Sequence, residues 1–318
     1  VWVKSRGSTY DHKLTDAVRG VTKAMIPNDN SAETTDSTGL TAFGADGFTV
    51  GADTDYSDTT GSGMVAWNWK AGGASTVTNT DGSIESEVSA NTTAGFSIVT
   101  YTGEGADTDT VGHGLTTTPS MIIVRKLVGD YWITWTPFFT ATTAYTLKLD
   151  TDGAVANNVS WFYNAAPNAT TFNPGDGGAT NGSAADYIAY CFENIEGYSK
   201  VGTYTGNGGD APSGADGPYI YTGFRPAYIM IRAAPSWSGG NWGLFDTKRF
   251  TYNETTNTST AGLIANDSAV TSINGAGPID ILSNGFKIRN NNGQDNAVGD
   301  NMIFLAFAES PFKYSNAR

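Results

Sequence analysis

The chain has 318 residues and a formal net charge of −13, with 18 Lys and Arg against 31 Asp and Glu. That sign argues against nucleic-acid and anionic-membrane partners, which need basic patches. Charged residues are only 15% of the chain, against about 25% in ordinary domains, and helix-forming residues are scarce, so a helical bundle is excluded. Aromatic residues at 12% exclude wholesale disorder, which leaves the all-β class.

In chain order, Val1 to Arg6 reads as a strand that begins without a leader, so the start is expected to cut through a folded unit. His12 to Asp16 reads as a second strand, and Ala17 to Met25 is the best helical candidate, a poor one. Gly47 to Val50 and Met64 to Trp69 are further strands. The Gly-, Ser-, Thr- and Asn-rich run from Lys70 to Asn91 reads as a connector. Alternating Phe96 to Tyr101 and Tyr145 to Leu149 mark half-buried strands, whereas Met121 to Val124 is apolar throughout and expected to be buried on both faces. No apolar stretch approaches the roughly 20 residues of a membrane-spanning helix.

The chain repeats itself. Val99-Thr100-Tyr101-Thr102-Gly103 returns as Gly202-Thr203-Tyr204-Thr205-Gly206, and Met121-Ile122-Ile123-Val124-Arg125 as Tyr228-Ile229-Met230-Ile231-Arg232. Tyr131 to Trp135 matches Asn241 to Phe245, and Tyr187 to Phe192 matches Met302 to Phe307. The beginning fits the same template without its opening strand: Val1 to Arg6 takes the slot of Ile122 to Lys126, and His12 that of Trp132 and Trp242. The expected organisation is a truncated first repeat at 1–75, a connector at 76–93, a second repeat at 94–198 and a third at 199–318. Tandem antiparallel β-sandwiches, jelly-roll-like, suit strands of this length and spacing.

Candidate chemistry is sparse. His12 and His113 lie near no Cys, second His or Glu-x-x-His pattern, and are read as structural. Cys191, within an apolar run, is read as a buried inert thiol. Glu193, Glu196 and Glu309 follow closing strands and are read as a charged rim, not as the acid pair of a glycosidase. Asp53, Asp55, Asp58, Asp107 and Asp109 offer oxygens suited to Ca²⁺, but they lack an EF-hand pattern and read as solvated loops, so no cofactor or metal is expected. Asp16 and Arg19 correspond to Asp246 and Arg249, and the second repeat loses both partners together, with Thr136 and Phe139; an ion pair is expected in the first and third repeats. Asn91, Asn158, Asn168, Asn181, Asn253, Asn257 and Asn266 satisfy the glycosylation pattern, as chance provides in so Asn-rich a chain. Trp132 and Trp242, at equivalent positions, are expected in the core. Trp161 and Trp237 lack counterparts, and with Tyr131 and Trp135 they are the candidates for glycan or partner contact, since aromatic faces stack on sugar rings.

The motifs Gly95 to Gly103, Val111-Gly112-His113-Gly114-Leu115 with Pro119, Asp186 to Phe192, and the closing Phe312 to Arg318 resemble a repeat domain of unassigned function. That domain is common in virion structural and tail-fibre-like proteins of marine and freshwater bacteriophages, cyanophages included. The resemblance implies a non-enzymatic component of the phage particle: a fibre, spike or capsid-decorating protein, exposed on the virion. Its expected partners are other virion subunits, with homo-oligomers such as trimers, and a host-surface glycan. The alternative is a carbohydrate-binding module or lectin of a larger surface protein. A glycosidase or depolymerase is a third option that needs two acids facing across a groove.

Overall fold

A computed structural model describes residues 1–61, 63–138, 145–154, 156–162, 165–209, 216–234, 240–249, 262–270, 279–291 and 293–310. Among them all the paired strands are antiparallel, and the only helix is the four-residue Gly293–Asn296. Ala17 to Met25 is not helical: it forms turns and then the strand Lys23–Ala24. The β-sandwich character follows from composition, since Thr-, Val-, Tyr- and Phe-rich segments pack better on a pleated surface than on a helix.

The chain divides into two compact units, 1–151 with 156–193, and 152–155 with 194–318. In the first, an eight-stranded sheet runs in the order Ala156–Asn157, Tyr145–Lys148, Ile133–Trp135, Met121–Lys126, Asp186–Phe192, Phe96–Thr102, Ser86–Asn91, Val77–Asn79. The last two strands lie in the stretch expected to be a connector. Val77–Asn79 is a largely exposed edge strand, so its polar composition imitates a linker. One face of this sheet packs Val99, Tyr101, Ile122, Val124, Ile133, Trp135, Ala189 and Cys191 against Val111 and Phe172 of a small second sheet, which is the sandwich core. Gly114, in the left-handed region at φ 66, follows that second sheet, and a Cβ there would stand 2.5 Å from Val88 Cγ1.

The first repeat contributes the sheet Lys13–Leu14, Trp2–Ser5, Met64–Trp67 to the same unit. This sheet ends at Met64–Trp67, the edge that in the second and third repeats carries Phe96–Thr102 and Ser199–Thr205. The second unit holds the sheet Ser199–Thr205, Asn301–Ala308, Pro226–Ala234, Gly243–Asp246, Leu263–Ile264, facing Tyr219–Tyr221, Gly285–Ile288, Ile279–Leu282. Ile229, Ile231, Phe245, Phe304 and Phe286 meet between the two sheets.

Met121–Lys126 is buried at five of its six positions, as expected for a strand covered on both faces. The second cover is the first repeat. Tyr190 Oη donates to Asp16 Oδ2 at 2.8 Å, and the Glu33 amide donates to the Leu127 carbonyl at 2.8 Å.

Candidate functional site

Three strand positions repeat a buried cation. The pairings Val3 with Lys13, Val124 with Ile133 and Ile231 with Gly243, continued by one residue, face Lys4 to His12, Arg125 to Trp132 and Arg232 to Trp242. All six side chains are fully buried. The Arg125 and Arg232 guanidinium carbons lie 5.2 and 5.5 Å from the Trp132 and Trp242 ring centroids, a cation–π arrangement. Burial pushes both guanidinium groups down to about 10. Arg125 Nη2 donates to the Ser31 carbonyl, and Trp132 Nε1 donates to the Ile26 and Asp29 carbonyls at 2.9 and 3.2 Å, so this pair grips a turn of the first repeat. Trp132 and Trp242 are therefore buried as expected, but Trp132 lies on the face opposite the sandwich core.

A side chain also locks each of these positions. The amides of His12, Trp132 and Trp242 donate to Asn28 Oδ1, Asp150 Oδ1 and Asn266 Oδ1 at 2.8, 3.1 and 2.8 Å. Sequence reasoning missed this triplet. Its signal was an Asx residue two to four positions after a short strand in every repeat. In the second repeat the lock is a carboxyl group: burial pushes Asp150 up to about 6, against the pull of the Trp132 amide and Arg125.

The expected ion pairs are present, with one geometry. Arg19 Nε and Asp16 Oδ2 are 2.6 Å apart, and Arg249 Nε and Asp246 Oδ2 are 2.5 Å apart. Each Asp also accepts two backbone amides through Oδ1, and each Arg reaches a strand carbonyl, Leu14 or Leu244. Burial alone would raise the Asp16 carboxyl. Arg19, the backbone amide and Tyr190 outweigh it and hold the group below the usual carboxylate range. Phe139 lies outside the described residues.

The surface candidates separate. Tyr131 and Trp161 are half-buried with ring centroids 6.4 Å apart, and Lys148 Nζ stands 3.2 Å from the Tyr131 centroid and 5.2 Å from that of Trp161. Asn158 builds the turn beneath them: its carbonyl accepts the Trp161 amide at 3.0 Å and its Oδ1 the Ser160 amide at 3.1 Å. Trp135 does not belong to this patch. It is 2% exposed and stacks on Phe162 in the core, because inward alternation along Ile133–Trp135 sends it there. Trp237, Asn253, Asn257 and the closing 312–318 lie outside the described residues. What the patch offers chemically is two half-buried aromatic rings with an ammonium group held over them.

Several other polar groups are occupied inside. Glu193 is not a rim residue: it is 1% exposed and accepts from the Thr117 amide and hydroxyl. Asp109 and Asn181 are likewise buried, joined at 2.9 Å, so neither is a solvated loop residue or a glycosylation acceptor. His113 accepts the Leu115 amide at Nδ1, and burial lowers its pKa. His12 Nδ1 accepts Trp2 Nε1 at 2.8 Å. Among the described residues no group of His, Cys, Asp and Glu is placed to hold a metal ion.

No curated protein and no solved structure matches the chain. A family model described as "Domain of unknown function (DUF7483)" matches residues 1–311, and the chain belongs to that family.

Proposed function

We propose that the protein is a non-enzymatic structural component of a bacteriophage particle, a fibre, spike or capsid-decorating protein that contributes to attachment at the host surface. The observation that carries this reading is the buried grip of Arg125 and Trp132 on the 26–31 turn, which joins the first and second repeats into one compact unit. Two repeats fixed together in this way suit a load-bearing, solvent-exposed part. The low charge density and the resemblance of the repeat motifs to virion proteins agree with it. Such a part would assemble with other virion subunits or with copies of itself. Mass spectrometry of purified virions of the encoding phage tests the reading: the chain is expected at structural-protein abundance, and its absence from particles overturns it.

The Tyr131–Lys148–Trp161 patch favours a second reading, a carbohydrate-binding module. A glycan array on the purified chain, with Trp161→Ala as control, tests it. Signal that is lost in the variant supports glycan binding, and a blank array removes the reading.

A further inference from the structure

The turn that Arg125 and Trp132 grip has counterparts later in the chain. Ser31, Gly153 and Ala269 each stand three residues after the Asx lock of their own repeat, Asn28, Asp150 and Asn266. Two of the three meet an arginine stacked on a tryptophan. The Ser31 carbonyl accepts from Arg125. Within the second unit, to which 152–155 belongs, the Gly153 carbonyl accepts from Arg232.

The third turn is built like the first. The Asp29 amide donates to the Ile26 carbonyl at 3.3 Å, and the Asp267 amide to the Ile264 carbonyl at 3.2 Å. The Ser31 amide donates to Asp29 Oδ1 at 2.6 Å, and the Ala269 amide to Asp267 Oδ1 at 2.9 Å. Among the described residues, the hydrogen bonds of Asn266, Asp267 and Ala269 stay within the third repeat.

We propose that the turn at 266–270 is a docking plug for another domain of this repeat type. That partner presents a buried Arg on its third strand stacked on a Trp that opens its fourth. Its guanidinium group donates to the Ala269 carbonyl and its indole N–H to the carbonyl of Asp267, the counterpart of Asp29. A second copy of the same chain fits less well, because Arg125 and Arg232 already hold the Ser31 and Gly153 carbonyls. The first repeat has Lys4 and His12 at this position, and Lys4 Nζ donates to the Ser5 and Ser8 carbonyls of its own repeat.

The test extends the whole chain by repeating residues 194–318 after Ala308, which supplies one more Arg232–Trp242 pair. Amide hydrogen exchange at 266–270 is expected to slow roughly tenfold or more relative to the native chain. The slowing should vanish when Arg232→Gln is introduced in the added domain alone, with the fold of that domain checked by protection of its closing strand. Unchanged exchange beside a protected added domain overturns the proposal, as does slowing that survives Arg232→Gln or that appears with rising concentration of the native chain. A second measurement needs no added domain. Asp29→Ala, in a gripped turn, should lower the melting temperature by several degrees, and Asp267→Ala by about a degree or less. Equal losses would show the third turn already engaged and would sink the idea.

Discussion

The first and second repeats place a buried cation at the same point of the same strand and use it differently. Lys4 folds back on the Ser5 and Ser8 carbonyls, while Arg125 lies over Trp132 and reaches Ser31 of the other repeat. An ammonium group is a compact charge satisfied by carbonyls drawn around it, whereas a planar guanidinium group stacks on an indole and directs its donors outward. The cation-bearing strand thus closes on itself in one repeat and takes a neighbour's turn in the next, and two positions decide which.

The largest expected effect comes from breaking the outward version. Trp132→Ala removes a fully buried indole with its two carbonyl contacts, and should cost about 3–5 kcal/mol in denaturant unfolding. Exchange should rise first at 26–31. His12→Ala, which removes a smaller group bonded within the first repeat, should cost less and leave those amides protected.

Next comes Asp16→Ala, which leaves Arg19 with Glu33 as its remaining carboxylate partner and frees Tyr190. About 1–3 kcal/mol is expected. Because the Asp16 carboxyl sits below its unfolded value of 3.8, the pair's share of stability is present at neutral pH and fades as pH falls below about 4. Acid titration of the variant should show that step diminished.

A smaller change sharpens the comparison by making the repeats alike. Asp150→Asn gives the second repeat the amide lock of the first and third. The Asp150 carboxyl titrates near 6 when folded and near 3.8 when unfolded, so its contribution is full below about pH 4 and is lost as pH rises through 6. The variant should be more stable at pH 8 by about 1–2 kcal/mol, with a flatter profile between pH 4 and 6. A loss at pH 8 would mean that Arg125 depends on the Asp150 charge. Smallest of all, Lys148→Ala should cost under about 1 kcal/mol, as a surface cation–π contact does.

Strand content and the two Asp–Arg pairs were legible because each leaves a local or recurring pattern. The pairs could be read because Asp16 and Arg19 recur as Asp246 and Arg249 while the second repeat lacks both partners. The burial of Arg125 was not legible, since an arginine ending an apolar strand reads as a solvated terminus unless its cover is known, and that cover comes from residues far away in sequence. Ser86–Asn91 escaped notice for a related reason: its polar residues are strand-forming only beside Phe96–Thr102. Tyr131 and Trp161 were visible as unusual aromatics, but the lysine between them was not, because strand and turn meet only in the fold.

Cys191 is the chain's one cysteine, fully buried, with its thiol pushed up to about 12 by desolvation. Maleimide chemistry at neutral pH will therefore pass it by. A fluorophore, spin label or gold cluster can be attached at any single engineered surface thiol, with the wild-type chain serving as its own blank.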